Sequence, residues 1–207
     1  MPAPHAKVIA GYEAAASELI DQYALISNEA TYQHVLPFII PGPGKAMLDI
    51  GAGAGRHAAW FSDLGFSVTA VEPVAAFRLS GRQTYADKGI RWLNDRLPAL
   101  ASLRELDEQF DLITLVAVWH HLTDGEQLVA MRQISGLCKQ DGRAILSLRH
   151  GAGAPDRPCY DINVEQTLTC ARRNGFKCLF QKRAASVQEM NIQRGVEWTW
   201  VVLEKSD

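Results

Sequence analysis

The chain has 207 residues, is 47% hydrophobic and carries a formal net charge of −2 at pH 7. This length is typical of a single domain, and the apolar content is sufficient for a buried core. Because the charge is nearly balanced and the lysines and arginines form no run, the composition disfavours nucleic acid and anionic membranes as partners. No apolar stretch is long enough to predict a membrane span.

The cysteines and the N-terminal segment indicate the compartment. The cysteines, which form no Cys-x-x-Cys pair and match no metal-binding spacing, are Cys138, Cys159, Cys170 and Cys178. The segment after Met1 lacks the apolar region of a secretory signal peptide. We therefore predict reduced thiols, no metal site and a cytoplasmic location.

The first part of the chain is predicted to be helical. Apolar and aromatic residues recur at helical spacing over residues 8–28, and a second short helix is predicted from Thr31 to Ile40. The Pro-Gly-Pro-Gly run at 41–44 then breaks the chain. We predict that residues 1–44 form a helical lid, which belongs to the same domain as a core over residues 45–207.

A strand followed by closely spaced glycines is the most informative segment. Residues 46–50 are predicted to be a buried strand that contains Asp49, and Gly51, Gly53 and Gly55 follow at alternate positions. Glycine permits a positive φ and a close approach of backbone to ligand, because it has no Cβ. A strand that ends in such a loop and opens a helix presents free N–H groups, which suits a nucleotide or a nucleoside.

The glycine spacing separates two kinds of site. A dinucleotide-binding loop needs a glycine where Arg56 stands. The Asp-x-Gly-x-Gly-x-Gly pattern instead resembles motif I of the class I S-adenosylmethionine-dependent methyltransferases. NAD binding and a tight turn without a ligand are the alternatives for this loop, although three close glycines carry an entropic cost.

Strands and helices alternate through the rest of the core, which predicts a parallel sheet with right-handed crossovers. The predicted strands are 67–71, 90–93, 110–118 and 143–148, and the predicted helices are 55–64, 74–87, 100–107, 123–138 and 164–174. Two last strands, 176–183 and 196–204, are joined only by a polar connection and are predicted to be antiparallel. The resemblance implies a Rossmann-like α/β fold with a seven-stranded, mostly parallel sheet of order 3-2-1-4-5-7-6, the last strand antiparallel.

The same resemblance assigns cofactor-binding roles to the first strand and its loop. It places Asp49 near the amino group of the methionine moiety, and a structural cap of the loop is the alternative. Arg56 opens the next helix, and a solvated side chain is its alternative. The residues predicted to lie against the ligand are Gly51, Ala52, Gly53, Gly55 and Arg56.

Acidic residues follow the second and third strands. Glu72 can accept hydrogen bonds from both ribose hydroxyls, and Pro73 favours the extended backbone that aims it. The resemblance implies that Asp95 accepts a hydrogen bond from the adenine amino group, with Arg96 and Leu97 beside the ring. An Asx turn is the alternative for Asp95.

The fourth strand leads into Ala117, Val118 and Trp119, which we predict at the cofactor because ligands bind beyond the carboxyl ends of parallel strands. His120 and His121 follow. Methyltransferases of ubiquinone biosynthesis carry carboxylates in this segment that bind a divalent metal. Ala117 and His120 replace them here, so the resemblance does not support a metal.

Methyl transfer from a sulfonium depends on alignment of the acceptor and exclusion of water, and a general base is optional. His120 and His150 are the candidate bases, with hydrogen bonding to loops as the alternative for both. The resemblance places Tyr23 of the lid over the cofactor, with simple packing as the alternative. Trp198 and Trp200 share one face of the last strand and are predicted to lie under a helix.

These features favour transfer of a methyl group from S-adenosylmethionine to a small molecule, in a chain similar to a bacterial subgroup of small methyltransferases. Arg149 fits either an acidic group of that substrate or an internal ion pair. An NAD(P)-dependent Rossmann oxidoreductase is one alternative, disfavoured by Arg56 and the final hairpin. A non-catalytic S-adenosylmethionine-binding regulatory module is another, disfavoured because Asp49, Glu72 and Asp95 are all present.

Overall fold

A computed structural model describes residues 4–206. The helices are α1 (Pro4–Ala14), α2 (Ala16–Ala24), α3 (Asn28–Tyr32), α4 (Arg56–Asp63), α5 (Ala75–Thr84), α6 (Ala101–Arg104), α7 (Asp124–Leu137), α8 (Val164–Arg173) and α9 (Glu189–Gln193). The strands are β1 (Ala46–Ile50), β2 (Ser67–Val71), β3 (Arg91–Leu93), β4 (Phe110–Leu115), β5 (Cys138–His150), β6 (Phe176–Ala185) and β7 (Glu197–Lys205). Of the predicted lid, residues 1–3 lie outside the described range.

The strands form one seven-stranded sheet of order β3-β2-β1-β4-β5-β7-β6. Strands β1 to β5 pair in parallel, whereas β7 is antiparallel to both β5 and β6. The sequence-based prediction of the fold and of the strand order is therefore confirmed.

Both faces of the central strand are covered. Met47 lies in a buried cluster with Phe61 of α4, whereas its neighbour Leu48 lies in a second cluster with Met131 of α7. Successive side chains of a strand point to opposite faces, so this alternation places a helix layer on each side of the sheet. With both faces packed, the open edge at the carboxyl ends of the strands is where a ligand can enter.

The structure differs from the predicted elements mainly at the edges of the chain. The helix predicted over 8–28 is two helices interrupted at Ala15, and Thr31–Ile40 is divided between α3 and a 3-10 turn at Leu36–Phe38. The polar connection predicted over 184–195 contains the short helix α9.

Two strands also differ in length from the prediction. Strand β4 ends at Leu115, and Ala117 beyond it adopts a left-handed φ of 60°. Strand β5 begins at Cys138 rather than at residue 143, because residues 138–142 continue the strand through an irregularity. Asp141 there has a φ of 59°, and the pairing register shifts between Phe110 and Leu112.

The N-terminal helices α1 and α2 contact helix α5 through hydrogen bonds and a small apolar cluster. The carboxylate of Glu13 accepts hydrogen bonds from the backbone N–H groups of Ala75 (3.1 Å) and Ala76 (3.2 Å) at the start of α5. An acidic group at this position also complements the positive end of the helix dipole. Leu19 of α2 and Phe77 of α5 lie in one buried cluster. Among the described residues, no helix has the length and apolar character of a membrane span.

Trp92 of β3 sets the distance between α5 and the glycine loop. A Cβ on Gly81 of α5 would lie 2.4 Å from the Trp92 ring and 2.9 Å from the carbonyl oxygen of Ala54, and a Cβ on Gly55 would lie 2.7 Å from the same ring. Glycine at both positions therefore lets the indole ring fill the space between the helix and the loop.

We expect Gly81→Ala to lower the free energy of unfolding by about 1–3 kcal/mol, because the added methyl group overpacks the Trp92 contact. Gly136→Ala is the matched control: this glycine is also helical, but its Cβ would meet no atom within 4 Å. That change should stabilise the protein by roughly 0.5–1 kcal/mol through helix propensity. Urea unfolding of both variants measures the difference, and equal effects would show that the Trp92 contact is not tight.

Candidate active site

A cavity of about 530 Å³ lies beyond the carboxyl ends of the parallel strands. Its volume is within the range of small-molecule sites, roughly 300–1,000 Å³. The walls come from the N-terminal helices, the glycine loop, the segment after β4, the loop after β5 and residues 185–194. The cavity is thus built from segments far apart in sequence.

Only part of the glycine loop faces the cavity. Gly51, Ala52 and Gly53 line it, whereas Gly55 is buried against Trp92. Gly51 has a φ of +74°, and its Cβ would lie 2.4 Å from Cγ2 of Val118, so this glycine is needed for packing. Gly53 has a φ of +56°, and its Cβ would meet no protein atom within 4 Å. Gly53 is therefore the position at which bare main chain faces open space.

The Glu72 carboxylate is fixed at the edge of this loop. Its Oε2 accepts a hydrogen bond from the Gly53 N–H (2.8 Å), and its Oε1 accepts one from the Val74 N–H (2.8 Å). Burial raises the pKa of Glu72 to about 7 in spite of these hydrogen bonds. Because each carboxylate oxygen can accept two hydrogen bonds, both oxygens keep capacity for a ligand. Pro73 also lines the cavity.

Asp49 lies beneath the loop and does not form part of the cavity wall. Its Oδ1 accepts a hydrogen bond from the Thr114 hydroxyl (2.8 Å), and its Oδ2 is buried without a hydrogen-bond partner among residues 4–206. Burial raises its pKa to about 6. The recorded hydrogen bond joins Asp49 to β4 rather than to the loop, so both its contact with a cationic group and its alternative role as a cap of the loop stay predictions.

Asp95 lines the cavity with Arg96 and Leu97. Its Oδ1 accepts a hydrogen bond from the Arg96 N–H (2.7 Å), and its Oδ2 accepts them from Ser102 (2.7 Å) and Leu103 (3.2 Å) at the start of α6. The carboxylate therefore organises the turn after β3. Its contact with an adenine ring stays a prediction.

Arg56 joins the N-terminal segment to the glycine loop. Its Nη1 donates hydrogen bonds to the Ile26 carbonyl oxygen (2.7 Å) and to Oδ1 of Asn28 (2.5 Å), and its Nη2 lies 2.7 Å from Nε2 of His57. The side chain lines the cavity, but these bonds give it a fastening role. The alternative of a solvated side chain is wrong.

Of the residues that follow β4, some line the cavity and others lie in the core. Ala117 and Val118 line the cavity, and the Ala117 N–H donates a hydrogen bond to the Ser147 hydroxyl (2.8 Å). Trp119 does not line the cavity, because it is fully buried in the core cluster that includes Met131. The prediction that it contacts the cofactor is therefore wrong. The 3-10 turn at Trp119–His121 rotates the indole ring into the core, which the linear sequence does not show.

The two candidate bases have different surroundings. His120 lines the cavity and is 4% exposed, and burial holds its pKa well below 6.5, so it is neutral at pH 7. His150 does not line the cavity: its Nε2 lies 2.8 Å from the Thr199 hydroxyl. The prediction of His150 as a base is therefore corrected, because its side chain is bonded to the neighbouring strand.

The far end of the cavity holds residues that the sequence did not assign to it. Arg157 lies in the loop after β5, with its guanidinium 5.1 Å from the Tyr12 ring centroid. Trp198 lines the cavity rather than lying wholly under a helix, and the Arg149 guanidinium lies 5.5 Å from its ring centroid. Tyr23 lines the cavity as predicted. The sequence feature that could have placed Arg157 at the cavity is its position, because the loop at 151–158 follows the carboxyl end of a parallel strand, where ligands bind.

The fold also brings His120, His121 and Cys159 together, with potential ligand atoms within 4.8 Å of one another. Linear spacing did not predict this cluster. Both ring nitrogens of His121 already have partners, namely the Tyr12 hydroxyl (3.0 Å) and the Pro158 carbonyl oxygen (2.8 Å). The absence of a metal stays a prediction.

Comparisons with known proteins agree with this geometry. Residues 48–146, from β1 to β5, match the family described as a methyltransferase domain. The uncharacterized methyltransferase YcgJ of Bacillus subtilis is 31% identical over 115 residues, which are 56% of this chain and 44% of that protein. An uncharacterized methyltransferase of Bacillus velezensis is 25% identical over 167 residues, which are 81% of this chain and 72% of that protein. The chain thus spans less than half of the length of the first of these relatives.

A solved structure from Burkholderia thailandensis has the same fold. It aligns with a TM-score of 0.73 and 20% identity over 100% of this chain and 92% of that one. That protein is described as 1,6-didemethyltoxoflavin-N1-methyltransferase, with 1,6-didemethyltoxoflavin and S-adenosylhomocysteine bound. Residues 48–146 thus match a methyltransferase domain, and the strand order of the whole sheet is that of the Rossmann-like methyltransferase fold.

Proposed function

We propose that this protein transfers the methyl group of S-adenosylmethionine to a small molecule inside the cavity. The observation that carries the proposal is the pairing of Gly53 with Glu72. The glycine presents bare main chain to the cavity, and its N–H holds a buried carboxylate at the edge of the same space. This combination of close backbone and fixed hydrogen-bond acceptor fits a nucleoside without a phosphate group.

The residues present fit two parts of the cofactor, its ribose and its amino group. Glu72 has hydrogen-bonding capacity for the ribose hydroxyls. Asp49 lies behind the cavity wall, and its one unpaired oxygen supports a contact with the amino group of the methionine moiety. When bound, S-adenosylmethionine supplies a methyl group that is already activated as a sulfonium. The protein's own part is to orient the acceptor and to exclude water.

His120 is the residue that we assign to proton transfer. It lines the cavity, and its Nδ1 is buried without a hydrogen-bond partner in the described part of the chain. Burial lowers its pKa, so the imidazole is neutral but a weak base, and it can take a proton only from an acceptor that methylation has made strongly acidic.

Enclosure supports a small acceptor. Helices α1 and α2 contribute Tyr12 and Tyr23 to the wall, and most of the segment 185–194 also lines the cavity. The net charge of −2 gives no basic surface for nucleic acid. The B. thailandensis protein of the same fold is itself described with a small molecule bound.

An oxidoreductase is a weaker candidate. Arg56 stands where a dinucleotide loop needs glycine, and its bonds to Ile26 and Asn28 occupy the space beside the helix start. The antiparallel β6–β7 pair also differs from a dinucleotide-binding Rossmann fold, in which strands and helices continue to alternate.

We expect S-adenosylhomocysteine, but not NAD, to raise the melting temperature, because a ligand that binds only the native state stabilises it. Calorimetric titration with each compound gives the affinities. Release of S-adenosylhomocysteine from S-adenosylmethionine when a fractionated small-molecule extract is added would distinguish an enzyme from a regulatory module. Tight binding of NAD alone would contradict the proposal.

Gly53→Ala should weaken S-adenosylhomocysteine at least about tenfold, because the methyl group enters the cavity and strains the left-handed backbone. The matched control is Gly89→Ala. Gly89 has a similar φ of +64° and open space at its Cβ, but it lies outside the cavity. Equal losses of affinity in the two variants would show that strain, rather than contact, is responsible.

The affinity for S-adenosylhomocysteine should rise with pH through the pKa of Glu72, which is about 7. Ribose hydroxyls donate to the ionised carboxylate, and its ionised fraction increases roughly fourfold between about pH 6.5 and about pH 8. Glu72→Gln should bind more weakly and lose most of this dependence, since a carboxamide does not titrate. Calorimetry at several pH values tests this expectation, and an unchanged pH profile in the variant would assign the titration to another group.

A further inference from the structure

We propose that the methyl acceptor is a small organic acid whose carboxylate is held by Arg149 and Arg157. This inference rests on the proposed function and names the substrate class of the same site. It is carried by two guanidinium groups that line the far end of the cavity with buried, unused hydrogen-bond donors.

The unused donors are specific atoms. Nε of Arg149 and Nη1 of Arg157 are buried, and neither has a hydrogen-bond partner within residues 4–206. Arg149 also donates a hydrogen bond from Nη2 to the Ala152 carbonyl oxygen (2.6 Å). A buried donor without a partner is costly, and more so when it carries charge. A bound anion would satisfy both atoms.

The two guanidinium groups act on the same part of the cavity. Both lie close enough to Tyr23 and to Cys159 to lower the pKa of each group, although burial raises both pKa values overall. Each guanidinium also lies over an aromatic ring, Arg149 over Trp198 and Arg157 over Tyr12. Both guanidinium groups therefore line the same cavity in positions restricted by aromatic rings, where each can donate to a carboxylate.

The carboxylates of the protein do not neutralise this pair. Glu72 and Asp95 accept hydrogen bonds from backbone N–H groups and form no ion pair with either arginine among the described residues. Glu18 is exposed and accepts a hydrogen bond from Gln22. Asp156 approaches Arg157 only to 3.6 Å, with a side chain that is 52% exposed. Arg149 and Arg157 thus line the cavity without a buried counter-ion among the described side chains, and Arg194 adds a further positive charge to the same wall.

A metal ion is a poorer occupant of this region. The cluster of His120, His121 and Cys159 offers ligand atoms, but Arg149 acts electrostatically on His120 and both arginines act on Cys159. Cations at these positions repel a divalent ion, whereas they attract a carboxylate. The surroundings therefore favour an anionic acceptor.

The test uses the full chain saturated with S-adenosylhomocysteine. The probes are benzoate, phenylacetate and succinate, each paired with its neutral amide, and the readouts are melting temperature and calorimetric affinity. We expect at least one acid to raise the melting temperature and its amide to have no effect. Equal effects of acid and amide, or no effect of any acid, would overturn the proposal.

Variants then locate the binding. Arg149→Met and Arg157→Met should each weaken the responsive acid about ten- to a hundredfold, because each removes a charged hydrogen-bond donor. Arg149→Lys keeps the charge and should restore part of the affinity, which also covers the case in which Arg149→Met does not fold. Arg183→Met is the matched control, because Arg183 pairs with Glu197 outside the cavity. An acid affinity that survives in both cavity variants would overturn the proposal.

The affinity for S-adenosylhomocysteine separates this inference from the proposed function. If the wild-type protein does not bind it, the proposed function fails. If the wild-type protein binds it and no acid responds, only the acidic acceptor fails. The arginine variants should keep their cofactor affinity, and a large loss in Arg149→Met would assign the guanidinium to the carboxylate of the cofactor instead.

Discussion

The hydrogen bonds of one buried carboxylate organise this site. Glu72 joins the loop after β1 to the end of β2, because its two oxygens take the N–H groups of Gly53 and Val74. The arrangement is a compromise, since burial raises the pKa of the carboxyl to about 7 while the hydrogen bonds lower it. The acid is thus held in position before a ligand arrives. Preorganisation of this kind reduces the ordering that binding would otherwise require.

The remaining walls depend on the geometry of the parallel sheet. Strands β1, β2, β4 and β5 all end at one edge, so residues from distant parts of the chain meet there. The antiparallel strand β7 adds Trp198, which pairs in register with Arg149 of β5. The cavity wall therefore combines the glycine loop and carboxylates with guanidinium and aromatic groups.

The sequence predicted the elements whose signal is local. The bounds of β1 and β2, the strand order and the inward-facing Gly53 follow from an apolar run, closely spaced glycines and a family resemblance. It could not predict which residues turn away from the cavity. The 3-10 turn buries Trp119, and a hydrogen bond to Thr199 holds His150 on the sheet. Arg157 lies in the long loop after β5, and the spacing of apolar residues does not predict where the side chains of such a loop point.

Part of the cavity wall comes from segments that lie outside the stretch matched by the family. That stretch, residues 48–146, contributes the glycine loop, Glu72 and His120. Tyr12, Arg149, Arg157 and Trp198 come from before or after it. The N-terminal wall is joined to the core through discrete polar contacts, such as Glu13 with the start of α5 and Arg56 with Ile26. Because of this division, substitutions in the outer segments can reshape part of the cavity while the hydrogen bonds of Glu72 to Gly53 and Val74 stay in place.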